Sequence, residues 1–203
     1  MGKQYDLTSD STNYSNSGFN SMFSQNSDIN YVDIKLIGTH RGNYGTMFSN
    51  CRYLIGANVD FNNRVKYITN ASSVRAYNVF AYCYELLFCN ALNFNGDSLE
   101  GFFAGCSKLK SAYLANVKGS ELSNINILGT FYNCPALVKI DGINFDTVTS
   151  IPNSTGSTNK AFYSTGAGAS TMFNNPKLRF MRIRNLGKNG TSGTNSGFNF
   201  KSA

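Results

Sequence analysis

Four cysteines recur in one local setting: Phe48-Ser-Asn-Cys51, Phe80-Ala-Tyr-Cys83, Phe103-Ala-Gly-Cys106 and Phe131-Tyr-Asn-Cys134. Thiols in such numbers could coordinate a metal, form disulfides or act as nucleophiles. Their spacing argues against all three. Residues at one position of a repeat stack in a line, and a line does not supply the tetrahedral geometry of zinc. The count of five cysteines is odd, which weakens a disulfide framework. A Cys–His pair would need the single histidine, His40, beside a thiol of depressed pKa. His40 instead lies in a turn with Gly38, Arg41 and Gly42, and Cys51 is expected to point inward. The cysteines are therefore read as small buried hydrophobes, with Cys89 at an inward strand position.

The other reactive groups form no constellation. The eleven carboxylates are scattered and no acid pair recurs, so neither a glycosidase nor a phosphatase arrangement is implied. The Gly166-Ala-Gly168 stretch lacks a following Lys-Ser/Thr, so no phosphate loop is implied either. No enzymatic activity, no metal and no cofactor are expected.

The elements that hold these residues are legible as a repeat. Six segments start on Phe: Phe23, Phe48, Phe80, Phe103, Phe131 and Phe173. Met22, Met47, Val79, Phe102 and Met172 precede five of them, and Thr130 precedes the sixth. Three places after the Cys, or after Asn26 in the first copy, comes Ile29, Leu54, Leu86, Leu109 or Leu137; Leu178 takes this role in the last copy. From there each copy reads loosely L-x-x-L-x-L. The triads are Ile29/Val32/Ile34, Leu54/Ala57/Val59, Leu86/Cys89/Ala91, Leu109/Ala112/Leu114, Leu137/Ile140/Gly142 and Leu178/Met181/Ile183. Ile143 directly after Gly142 predicts a bulge. The Phe-to-Phe interval is shortest from Phe80 to Phe103 and longest from Phe131 to Phe173, so the pattern is regular and its loops are not.

Phe, then Cys three later, then Leu three later again share one face of a short helical turn. The last two residues of L-x-x-L-x-L alternate with strand period. Each copy is thus a short helix or turn, a short strand and a return loop. Neither piece buries its apolar side alone. Stacked copies join the strands into a parallel sheet and the Phe/Cys/Leu positions into one core.

This pattern resembles the BspA-like leucine-rich repeat family. Val148-Thr-Ser-Ile151 followed by Ala161-Phe162-Tyr163 is close to the family's wording, and Val65-Lys-Tyr-Ile68 and Leu122-Ser-Asn-Ile125 are weaker echoes. The resemblance covers roughly residues 19–187. It departs in the missing Cys of the first and last copies and in the uneven lengths. It implies an α/β repeat: a leucine-rich-repeat solenoid of about six to seven coils, with short parallel strands, short helices or turns and irregular loops. It also implies a role in surface adhesion and recognition.

The solenoid is expected to span 21–187, after an N-terminal arm or cap at 1–20 and before a tail at 188–203, with Gly197-Phe198 the stub of a further copy. Residues 146–171 read as a long loop or a degenerate coil around Phe162. Charged residues are 14% against a globular norm of roughly 25%. Phe and Tyr bring aromatics to 14%, too many for a disordered chain. No apolar run approaches a membrane span, and no secretory signal is visible at Met1–Asp10. The Met start, low charge and Asn/Gly-rich polarity fit a phage-virion component, a fibre or decoration protein. The alternative is a fragment of a secreted bacterial surface adhesin. The expected location is a virion or a bacterial cell surface.

The strand register leaves one face outward: Tyr31, Asp33, Lys35; Gly56, Asn58, Asp60; Phe88, Asn90, Leu92; Ser111, Tyr113, Ala115; Lys139, Asp141; Phe180, Arg182, Arg184. Tyr31, Phe88, Asn90, Tyr113, Phe180, Arg182 and Arg184 are the candidate binding residues. Aromatics beside Asn and Asp suit sugar stacking or a protein contact; packing against a neighbouring loop or subunit is the competing reading. The net charge of +7 is concentrated from Lys177 onward. A nucleic-acid groove would want basic residues along several coils, and the earlier strands carry Asp33, Asp60 and Asp141 instead. The expected partner is a protein, a surface glycan or a neighbouring virion subunit, without nucleic acid and without membrane insertion.

Overall fold

The structure is a computed structural model that describes residues 4–7, 19–36, 44–61, 76–94, 98–115, 129–144 and 177–184. Its strands are β1 (Gln4–Leu7), β2 (Tyr31–Leu36), β3 (Gly56–Asp60), β4 (Phe88–Leu92), β5 (Ser111–Ala115), β6 (Lys139–Asn144) and β7 (Phe180–Arg184). They form one open sheet in chain order, every pair parallel. Sequential order with parallel pairing requires the chain to return across the core after each strand, which is a solenoid-like repeat. The alternation is that of a half-buried strand: Val32, Ile34 and Leu36 are buried while Tyr31, Asp33 and Lys35 are exposed. Within the expected N-terminal arm, Gln4–Leu7 adds a strand that periodicity did not reveal, with Tyr5 opposite Ile34.

Of the short helix or turn expected at the wall that carries the Phe positions, the structure takes the turn. Among the described residues there is no helix; each copy here is a chain of linked turns. Alternate N–H groups donate three residues back within the copy, as from Ser49 to Thr46 and from Cys51 to Phe48. The intervening ones donate to the next copy: Thr46 to Tyr77, Phe48 to Val79 and Asn50 to Ala81. A helix would spend every N–H within its own segment. The turn wall diverts half of them along the stack, so it is a second ladder beside the sheet.

That pattern demands a left-handed residue twice per copy. The position two before the Phe has positive φ at Ser21, Thr46, Asn78, Gly101 and Gly129, and the position two after it at Gln25, Asn50, Tyr82, Gly105 and Asn133. A positive φ at the third residue of a hydrogen-bonded turn is the type II signature. Gly and Asn, the residues best suited to this region, fill six of the ten positions.

The Phe rings stack into a column. Phe23, Phe48, Phe80, Phe103 and Phe131 follow one another at 5.3, 5.3, 5.8 and 5.5 Å between centroids, with their planes nearly parallel. Phe80, Phe103 and Phe131 are buried, as their repeat position predicts. The cysteines complete the ladder: the thiols of Cys51, Cys83, Cys106 and Cys134 donate to the carbonyls of Phe23, Phe48, Phe80 and Phe103 at 3.0–3.1 Å. Those are the carbonyls that the inter-copy N–H bonds skip. A small side chain with a weak donor fits a buried acceptor's spare lone pair. A second aromatic group, Tyr44, Phe61, Phe94 and Phe102, packs edge to face within the core.

One triad position is corrected. Gly142 does not take the inward place in β6; Ile143 does, and it is buried. The pairing shifts between Ile140 and Ile143, so Asp141 and Gly142 together oppose Arg182. This is the predicted bulge, and Gly142 supplies its positive φ. His40, Phe162, Phe173, the 146–171 segment, the motifs at Val148–Ile151, Ala161–Tyr163, Val65–Ile68 and Leu122–Ile125, and the 188–203 tail lie outside the described residues.

Candidate functional site

Register aligns the outward residues into rows across the sheet. One row is Tyr31, Gly56, Phe88, Ser111, Lys139 and Phe180; the next is Asp33, Asn58, Asn90, Tyr113 and Asp141. Tyr31, Phe88, Tyr113 and Phe180 are 37–43% exposed. Arg182 and Arg184 are exposed and Asn90 is half-buried. The seven candidates share one face but gather into two clusters that differ in chemistry.

The first cluster spans β2 to β4. Tyr31 and Phe88 stand two strands apart, roughly 9.5 Å, yet their ring centroids are 6.3 Å apart at a 51° tilt. They lean together over Gly56, where a Cβ would run into the Phe88 ring. Beside them, Asn90 Nδ2 donates to Asn58 Oδ1 at 2.7 Å and Asn58 Nδ2 donates to the Tyr31 hydroxyl at 2.5 Å. The two asparagines are thus fixed in orientation by each other. Asp60, in the adjacent row, accepts from Asn93 at 2.8 Å.

The second cluster lies on β6 and β7. Arg182 grips Asp141 with two bonds, Nε to Oδ1 at 2.6 Å and Nη2 to Oδ2 at 3.0 Å. Gly142 N–H donates to the same carboxylate at 2.7 Å, and Lys139 Nζ lies 3.5 Å from it. Asp141 was expected outward and is outward, but these groups cover it and it is buried. The hydrogen bond from Arg182 holds the Asp141 carboxyl below its ordinary pKa. Lys139 and Arg182 also lie 5.3 and 5.9 Å from the Phe180 ring centre. Arg182 is therefore committed within the chain. Tyr113 separates the clusters, its ring lying over Gly142.

The thiols are buried and free. Burial raises the pKa of all five, Cys134 to about 12. A thiol so shifted is a poor nucleophile at neutral pH. Among the described residues no group of three or more His, Cys, Asp and Glu could hold a metal ion. No helix among them is long and apolar enough to cross a membrane.

The turn wall carries exposed rings that the strand pattern did not reveal. Tyr53, Tyr82 and Tyr84 are exposed, and Tyr82 lies 6.3 Å from Tyr84. Arg52, Tyr53, Gln25, Ser27 and Asn50 line a shallow depression of about 520 Å³ there. The signal was available, since Tyr53, Tyr82 and Tyr84 all occupy x positions of F-x-x-C-x-x-L, apart from the core-facing Phe, Cys and Leu. Comparison with protein families, with curated proteins and with solved structures found no match to this chain.

Proposed function

We propose that this protein is a non-enzymatic leucine-rich-repeat module whose outward sheet face is a contact surface for protein or glycan. The observation that carries this reading is the set of exposed rings on one face, Tyr31, Phe88 and Phe180 in one row and Tyr113 in the next, at positions where a purely structural sheet could carry Ser or Lys. Contiguous exposed apolar area marks partner sites on soluble proteins, and interface hot spots favour Tyr and Arg. The F-x-x-C-x-x-L repeats and their resemblance to the BspA-like family support the leucine-rich-repeat assignment. Fixed geometry supports a binding role: the two hydrogen-bonded ladders and the Phe column hold the face in place, which lowers the ordering penalty of association. The buried, raised-pKa thiols and the paired Asp141 support the absence of catalysis.

The setting that fits best is a phage virion, with the protein a fibre or decoration component in attachment or assembly. A secreted bacterial surface adhesin is the second reading, favoured by the family's adhesive character. In both, the partner is a protein, a surface glycan or a neighbouring subunit. The acidic Asp33 and Asp60 on the face argue against nucleic acid.

Two double variants test the reading: Phe88→Ser with Tyr113→Ser, and Arg182→Ser with Arg184→Ser. Each is assayed for attachment or assembly while thermal unfolding is followed. The aromatic pair is expected to abolish contact without unfolding the protein. Folded variants that bind as before would move the site elsewhere.

A further inference from the structure

Resting on the contact-face reading, we propose that the platform over β2–β4, Tyr31 and Phe88 above Gly56 flanked by Asn58 and Asn90, binds a neutral pyranose. Two aromatic faces tilted toward each other offer an apolar surface on which the C–H face of a sugar ring can stack. Hydroxyl groups then need donors and acceptors at the edge of that surface. The amide chain supplies both. Because Tyr31 accepts from Asn58, its own O–H proton is free to point outward, and Asn90 Oδ1 has no partner among the described residues.

Charge decides the ligand class. The groups bordering this platform in register are Asp33, beside Asn58, and Asp60 in the next row, where Lys35 stands opposite it. The basic residues Lys139, Arg179, Arg182 and Arg184 lie at the other end of the sheet. Sialylated, sulfated or phosphorylated ligands would meet carboxylates here, whereas neutral hydroxyls can donate to them. Gly56 is then a specificity position. Any side chain there would displace the Phe88 ring from its lean, and the flexible ring can yield without loss of the fold.

The test titrates the full chain with neutral hexasaccharides of glucose, galactose, mannose and N-acetylglucosamine, and with heparin-derived and sialic-acid hexasaccharides. Tyrosine emission is a suitable readout because the chain has no Trp. At least one neutral series should bind in the millimolar range or tighter, and the anionic ones should not. Phe88→Ser and Gly56→Ala should each weaken it by about tenfold or more. Asn90→Ala should weaken it less, and Tyr84→Ser, on the turn wall, should leave it unchanged. Failure of every neutral series to bind overturns the inference, as does binding that is indifferent to Phe88→Ser and Gly56→Ala in folded protein. If that failure occurs while Phe88→Ser with Tyr113→Ser still loses attachment, the contact face stands and only the sugar assignment falls. If attachment also survives, both fall.

Discussion

The turn wall and the sheet wall enclose the same core and repeat once per coil, yet they use their residues differently. On the turn wall nearly every position is constrained. The Phe ring sits in a column, the Cys thiol completes the preceding Phe carbonyl, and two positions per copy must accept positive φ. On the sheet wall the backbone ladder is satisfied by any residue, and only the inward side chains are tied to the core. The outward positions accordingly range from Gly56 to Phe88 and from Asp33 to Arg182. Freedom from core packing is what leaves the outward positions open to such variety, and with it to the contact role proposed above. Bulky aromatics recurring at these positions are a departure that folding does not require.

The comparison can be broken hardest at the Phe column. Phe103→Ala removes a fully buried ring that touches Phe80, Phe102 and Phe131, and should cost roughly 3–5 kcal/mol. Tyr113→Ala, on the sheet face, should cost far less. Denaturant unfolding of both variants checks this, and equal losses would mean the walls are not distinct.

Backbone geometry sharpens the contrast within the turn wall. Gly105 and Gly129 both have positive φ, but a Cβ at Gly105 would sit 2.6 Å from Tyr82 Cδ1 while one at Gly129 would meet nothing closer than 3.7 Å. Gly129→Ala should cost about 1 kcal/mol of strain alone. Gly105→Ala should cost more, because Tyr82 must move too. Their melting temperatures give the order.

The thiols contribute an effect of similar size. Cys106→Ala, which loses its bond to Phe80, should cost about 1–2 kcal/mol at neutral pH. In base the sign is set by the raised folded pKa values. Above about pH 8.5 the unfolded chain releases thiol protons that the folded chain retains. Unfolding then releases protons, and stability falls with rising pH by up to about 1.4 kcal/mol per pH unit for each thiol. The loss for Cys134 continues until its folded pKa near 12. Cys106→Ala should flatten that slope, measured as unfolding free energy from pH 8 to 10.

Much of this architecture is visible in the residues alone. Period-two alternation at Val32/Ile34 or Ala112/Leu114 names both faces of the sheet, and the i, i+3, i+6 spacing of Phe, Cys and Leu names the core. What spacing does not separate is a helical turn from linked turns, because both bring i and i+3 together. The distinguishing mark was Gly or Asn at fixed offsets from the Phe, as at Gly101, Gly105, Asn50 and Asn133. The candidate face was legible as a list of outward residues, but not its division into two clusters. That depends on the bulge at Asp141–Gly142, which turns the carboxylate to Arg182, and on the lean of Phe88 over Gly56. The shifted Ile143 marks the bulge itself in the sequence, but neither the turn of the Asp141 carboxylate toward Arg182 nor the lean of Phe88 leaves a periodic trace.

The most direct test of which wall makes contact is a tyrosine footprint, because tyrosines lie on both. Tyr31 and Tyr113 are on the sheet face, Tyr53, Tyr82 and Tyr84 on the turn wall, and Tyr44 is buried in the core. Tyrosine modification followed by peptide mass mapping is compared between the free protein and its attached or assembled state. Protection confined to Tyr31 and Tyr113, with Tyr53, Tyr82 and Tyr84 modified in both states and Tyr44 in neither, is the result expected. Protection of the turn-wall tyrosines with Tyr31 and Tyr113 still reactive would contradict the assignment of the sheet face as the contact surface.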